Sequence, residues 1–226
     1  SVATFTDGVT QEDMDTLEGD LSADGHIDDF LLNCGYSDDV KSSEDTETAE
    51  YVIVDDKNAF KDYVTLRTRR KHNDVVLGDS GVVITEKLSK DLGVKKGDKI
   101  TVTSSAGKQA EAVVSSITEM YVNHYVYIST EYYNELFGNI TEHNRVLIKI
   151  SGDVNETESY MGDEYLSRDY IKGVSFLNAN VTRFENMIQS LDLVTWVLII
   201  SAGLLAFVVL YNLTNVNISE RRREIA

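Results

Sequence analysis

The sequence predicts an α+β domain joined to one long C-terminal helix that crosses a membrane, and three observations point there. An apolar run with no ionisable side chain except Tyr211 extends from Leu193 to Ile218 and begins LVTWVLIISAGLLAFVVLYNL. The charge is divided: the chain carries 38 acidic and 21 basic residues, a net charge of −17, and before Asn180 there are 34 acidic residues against 17 basic ones. Short strand and helix patterns are mixed through the first 180 residues without a regular strand–helix–strand alternation, which is the mark of α+β rather than doubly wound α/β.

Composition narrows the function classes. With 42% apolar and 26% charged residues in 226, the chain can bury a core. The acidic excess repels phosphate backbones, so nucleic acid is not an expected partner. The one cysteine, Cys34, excludes an intrachain disulfide, and no Cys/His cluster has zinc spacing. Proline is absent, so there is no Pro-rich linker.

The elements follow in order. Thr10 before Gln11, Glu12 and Asp13 reads as an N-cap with an acidic first turn, opening a helix through Met14, Leu17 and Leu21. Tyr51 to Asp56 is a β-branched run and predicts a strand, followed by a helix in DKNAFKDYVTL with Phe60, Tyr63, Val64 and Leu66 on one side. Val82 to Ile84 predicts a strand, Thr85 to Leu92 a helix closed by Gly93, and Gly97-Asp98 a turn into the strand of Ile100 and Val102. Ala106-Gly107 turns the chain into a return strand through Ala110, Ala112 and Val114. HYVYIS forms the next strand, and its Ser129 caps a helix STEYYNELF that stops at Gly138. RVLIKI predicts a strand, NETESYMGDEYLSRDY a helix, and VSFLNAN a last strand.

As a helix, Leu193 to Leu213 spans about 31 Å, the thickness of a hydrocarbon core. A buried core helix of a soluble protein seldom runs beyond about 15 residues without a polar stripe, whereas here Thr195, Ser201 and Gly203 are small and uncharged. Trp196 and Tyr211 sit where interfacial aromatic anchors are expected. Arg221, Arg222 and Arg223 follow the span, and the positive-inside rule places that end in the cytoplasm and the preceding residues outside. Phe184, Met187, Ile188 and Leu191 form one apolar helical face with no breaker before Leu193. One helix from Val181 to Ala226 would rise about 65 Å. The expected organisation is an exterior domain over 1–180, a stalk over 181–192, a transmembrane helix over 193–218 and the start of a cytoplasmic segment over 219–226. With no initiator Met and a helical pattern running to its last residue, the chain reads as a piece of a longer polypeptide.

VVLYNLTNVNISERRREIA, through Asn212, Ile218, Glu220, Arg221, Glu224, Ile225 and Ala226, resembles the end of a transmembrane helix in the FtsX-like permease family of ABC transporters. VVITEKLSKDLGVKKGDKITV and ITEMYVNHYVYISTEYYNELFG resemble the MacB-like periplasmic core domain. The likeness covers about Asp79 to Ala226, and residues 1–78 share only the element order. It implies a multi-pass permease subunit in the cell membrane, with a two-lobed extracytoplasmic domain: a mixed α/β lobe and a β-rich insert of about Gly81 to Gly138. The implied partners are a separate ABC ATPase subunit, the lipid bilayer and a second permease copy. No catalytic residue, metal or cofactor is implied on this chain. Glu220, Arg221 and Glu224 are the candidates for coupling to the ATPase, through the cytoplasmic extension that Glu220 opens.

Other motifs are weaker. Asp20, Ser22, Asp24, Gly25 and Asp28 fall at calcium-loop positions, but Leu31 stands where a bidentate Glu is needed, so a solvated acidic loop is expected. Gly78-Asp79-Ser80-Gly81 resembles a serine-protease nucleophile loop without a histidine in matching context. Arg67, Arg69, Arg70 and Lys71 read as a solvated helix end, with an anionic polymer or lipid headgroup as the alternative. Tyr121, Tyr125, Tyr127, Tyr132 and Tyr133 read as sheet packing before a peptide or sugar surface, and His124 as a hydrogen-bonded sheet residue. The Asn-x-Ser/Thr sites at Asn139, Asn155, Asn180, Asn212 and Asn217 carry no weight in a bacterial protein. Two function classes result: a permease that moves an amphiphilic substrate or transmits mechanical work, and a membrane-anchored receptor or interaction domain.

Overall fold

The structure, a computed structural model, describes residues 2–5, 10–121, 123–138, 143–152 and 154–225, and of 2, 4, 5, 154, 155, 177–191, 193 and 219–225 the backbone alone. Two units divide the chain, Ser1–Phe176 and Leu177–Ala226.

The first unit is mixed α/β and is organised by one strand. β2 (Ile27–Lys41) is 15 residues long and belongs to two sheets in succession. Its first half pairs antiparallel with β8 (Arg145–Ile150), from Ile27↔Ile150 to Asn33↔Arg145. β8 then pairs with β1 (Val2–Phe5), and β1 with β9 (Ile171–Ser175), all antiparallel. On this four-stranded sheet lie α1 (Gln11–Ala23) and α5 (Val154–Leu166). Met14, Leu17, Leu21, Met161 and Tyr165 of the helices form one buried cluster with Ala3, Val146, Ile148 and Ile171 of the strands. Each of the Leu, Val, Ile and Met side chains contributes about 1.5–3 kcal/mol by leaving water. α1 starts where the sequence predicts: Asp13 N donates to Thr10 Oγ1 at 3.2 Å and Thr10 N donates to Asp13 Oδ2 at 3.0 Å, a reciprocal cap.

From Cys34 onward β2 changes partners. It pairs with β3 (Thr46–Val54) from Cys34↔Ile53 to Lys41↔Thr46, and at Val40 and Lys41 with β5 (Lys99–Thr103). β3 lies parallel to β7 (Tyr125–Ser129), β7 antiparallel to β4 (Val82–Thr85), β4 parallel to β6 (Gln109–Thr118), and β6 antiparallel to β5. The ring β2-β3-β7-β4-β6-β5 closes on itself, a six-stranded barrel that leaves these strands no open edge. Alternate residues fill it: Tyr51 and Ile53, Val82 and Ile84, Ile100 and Val102, Ala112 and Val114, Val126 and Ile128. Leu88 and Leu92 of α3 (Glu86–Asp91 with its cap) and Tyr132 and Tyr133 of α4 (Thr130–Phe137) join them. The expected β-rich insert at 81–138 supplies β4 to β7, and the barrel additionally takes in β3 and half of β2.

A third cluster lies outside the barrel wall. Val52, Val54, Val83 and Tyr127 point outward and are covered by Phe60, Leu66, Val75 and Leu77, with Leu31 and Leu147 of the four-stranded sheet partly buried against them. Segment 57–78 is thus a strap across the angle between sheet and barrel.

Several expectations change here. The helix predicted for 57–66 is one turn, α2 (Lys57–Phe60), started by Asp56 accepting from Asn58 N and Ala59 N. Val64 and Thr65 are β-branched and helix-poor, and the chain extends to bury Leu66. The expected acidic loop at 20–31 does not exist as a loop, because Asp20 and Ser22 end α1 while Asp28 and Leu31 lie in β2. The last strand is Ile171–Ser175 rather than VSFLNAN, with Val2 paired to Ser175, and Leu177–Asn180 opens the following helix. α5 ends at Leu166, four residues before the predicted end.

The second unit is α6 (Leu177–Ile225), an unbroken helix of 49 residues with a rise of about 73 Å.

Candidate functional site

In α6 the stretch Val194–Ile218 is long and apolar enough to cross a membrane, and none of it is buried. Its large apolar side chains are between 51% (Val208) and 68% (Phe207) exposed. The uncovered surface surrounds the helix rather than forming a stripe, which suits lipid and not water. Two of its hydroxyls bond back to the helix, as a hydrocarbon environment favours: Ser201 Oγ donates to Val197 O at 2.7 Å and Thr214 Oγ1 to Leu210 O at 2.8 Å. Trp196 and Tyr211 are 64% and 60% exposed near opposite ends. Fifteen residues separate them, about 22 Å of helix, which is shorter than a hydrocarbon core of about 30 Å. The helix backbone continues through Glu220, Arg221 and Glu224, whose side chains lie outside the described residues.

The strand before α6 is tied down on its own unit. β9 is separated from α6 by Phe176 alone, and Phe176 packs against the cluster beneath α1 and α5. Two polar networks hold the approach to β9. Arg168 binds Asp20 of α1 and donates to Tyr170 Oη at 3.0 Å and Glu164 Oε1 at 3.3 Å, with its guanidinium 5.5 Å from the Tyr165 ring centre. Asp24, its side chain only 8% exposed, accepts from His26 N at 2.9 Å and Tyr165 Oη at 2.9 Å, and lies 3.0 Å from His26 Nδ1. Burial raises the pKa of this carboxyl, but the His26 and Tyr165 hydrogen bonds outweigh it and leave the value below the ordinary one. Asp20 and Asp24, at calcium-loop positions in the sequence, are therefore engaged within the protein, Asp20 by Arg168 and Asp24 by His26 and Tyr165. Among the described residues no group of three or more His, Cys, Asp or Glu side chains is placed to hold a metal ion.

The remaining candidates resolve individually. Ser80 lies in a bend before β4, and no described histidine bonds to it; neighbouring Asp79 is paired with Lys57. Arg67, Arg69, Arg70 and Lys71 are not a helix end but a hairpin turn bridged by Arg67↔Asp74. Arg67 Nε meets Glu119 at 2.8 Å, Arg69 meets Glu86 at 3.3 Å and stacks over Tyr121 at 5.1 Å. Tyr127, Tyr132 and Tyr133 are buried core, Tyr125 stacks on Tyr127 at 5.8 Å, and only Tyr121, at 52%, is open. His124 joins three elements, with Nε2 2.9 Å from Asp91 and Nδ1 3.1 Å from Thr48 O. An open cleft of about 540 Å³ between Asp55, Lys57, Lys61, Val76 and Asp79 has Lys57 already committed to Asp79 and Glu131.

No protein-family model matches the chain, and no curated protein matches it. Among solved structures the chain is similar to the periplasmic region of MacB from Actinobacillus actinomycetemcomitans, with 13% identity over 74% of this chain and 83% of that one and a TM-score of 0.41. It is also similar to the extracellular domain of the noncanonic ABC-type transporter YknZ from Gram-positive bacteria, with 10% identity over 77% of this chain and 100% of that one and a TM-score of 0.44.

Proposed function

We propose that this chain is part of a permease subunit of an FtsX-like ABC transporter, whose exterior domain moves when a partner subunit hydrolyses ATP. The observation that carries the reading is continuity. One helix without a break leads from the core-anchored strand β9, through an exposed apolar stretch of bilayer length, to the Glu220, Arg221 and Glu224 pattern that resembles the permease family. A helix transmits displacement along its axis because every turn is hydrogen-bonded to the next, and β9, paired among the described residues with β1 alone, is the first strand to receive it. The chain's own chemistry is then mechanical: it binds the bilayer, holds β9 and passes movement to the sheet, for export or extraction of an amphiphilic substrate or for regulation of an exterior protein. Under this reading the full-length protein, purified from its source membrane, brings an ABC ATPase with it and has further apolar spans. A protein with this single span that purifies without an ATPase is instead an anchored receptor.

A further inference from the structure

β2 passes from the four-stranded sheet to the barrel between Asn33, the last residue paired with β8, and Cys34, the first paired with β3. Three consecutive residues ahead of and opening β8 tie the two bodies at this crossing. His143 Nε2 lies 2.5 Å from Asp55 Oδ2, just beyond β3. Asn144 replaces a missing ladder step with its side chain, accepting from Gly35 N at 2.9 Å and donating to Gly35 O at 2.8 Å. Arg145 pairs with Glu50 of β3, and its guanidinium occupies the place a side chain at position 35 would take: a Cβ there would stand 2.5 Å from Nη1.

The joint is incompletely satisfied. Arg145 Nε and Asn33 Oδ1 are both buried and unpaired, yet Asn33 and Arg145 are register partners on adjacent antiparallel strands, so their side chains leave the same face. One is a donor and the other an acceptor, and each unpaired group raises the energy of this position. On the sheet side Leu31 and Leu147 are only partly buried against the hydrophobic strap.

We propose that Asn33–Gly35 is a two-position hinge between sheet and barrel. In the position described, the Asp55, Gly35 and Glu50 ties hold it; in the second, the Glu50 tie is released and Arg145 Nε donates to Asn33 Oδ1. The inference concerns the exterior unit and stands whether the protein is a permease or a receptor.

Distances between spin labels on Lys108→Cys, at the exposed β5–β6 turn, and Ser159→Cys, on the exposed side of α5, measured on the full chain in lipid nanodiscs, test it. Burial pushes the Cys34 thiol up to about 11, so it stays protonated and unlabelled at neutral pH. The native chain gives two distance maxima, Glu50→Gln raises the share of the minor one, and Asn33→Leu, close in volume, removes it. If Glu50→Gln does not fold, Arg145→Lys takes its place: it keeps a cation for Glu50 without an Nε donor and leaves one maximum. A single maximum in the native chain and unchanged in Glu50→Gln, or a minor maximum that survives Asn33→Leu or Arg145→Lys, overturns the hinge.

Discussion

If Val194–Ile218 lies in a bilayer, its tolerance of charge follows from its composition. The segment holds 14 Leu, Ile, Val and Phe residues, each favouring insertion by about 0.3–0.6 kcal/mol, or roughly 4–8 kcal/mol together before Asn212, Asn215, Asn217 and the hydroxyl residues are deducted. Leu205, 67% exposed and near the middle of the stretch, changed to Arg costs about 3–4 kcal/mol: the arginine term plus the lost leucine. Leu205→Arg alone should therefore lower insertion without abolishing it, and Leu205→Arg with Val209→Arg, costing about 6–8 kcal/mol, should cancel the driving force. The assay is alkaline extraction of membranes carrying each variant. The native chain stays with the membrane, the single variant divides, and the double variant is released. If the helix instead stood in water, arginine would only improve solubility. A double variant as resistant to extraction as the native chain refutes the reasoning.

Three further outcomes are expected. Lys108→Cys in intact cells reacts with an impermeant thiol reagent and Glu224→Cys does not; the reverse pattern inverts the orientation. Gly81→Ala, whose Cβ would meet Val113 O at 2.7 Å and Ser115 Cβ at 2.8 Å at φ +79°, costs roughly 2–4 kcal/mol and lowers the urea midpoint by about 1 M or more. Gly107→Ala, at φ +77° with no atom within 4 Å, lowers it less, and equal midpoints contradict this packing. Asp24 has a folded pKa below its ordinary value of 3.8, so its contribution to stability is full above that value and is lost as pH falls through the lower one. Asp24→Asn is accordingly less stable than native at pH 7, and the gap narrows as pH falls below 3.8; a gap independent of pH removes the carboxylate from the network.

Local signals wrote part of this fold plainly. Thr10 with Asp13, Ser129 before α4 and Gly93 after α3 mark helix ends through groups three or four residues apart, and the apolar run of α6 needs no partner to be seen. β2 was hidden because Asp28, Asp29, Asp38 and Asp39 are poor strand formers. It exists because three strands pair with it, a tertiary cause that no short window contains. Barrel closure is hidden for the same reason, and the fate of the Asp20 carboxylate is not local either, because Arg168, 148 residues away, decides what it does. Arg145 carried no motif at all; its role appears only where β8 and β3 meet.

Coupling between movement of this chain and ATP hydrolysis is the central proposal. The full-length protein reconstituted in nanodiscs with its co-purified ATPase gives the direct measurement, the rate of ATP turnover for the native pair and for Arg221→Glu, with unfolding of the exterior unit followed in parallel. Turnover is expected to be lower in the variant at an unchanged unfolding midpoint; equal turnover, or no ATPase to co-purify, contradicts the coupling.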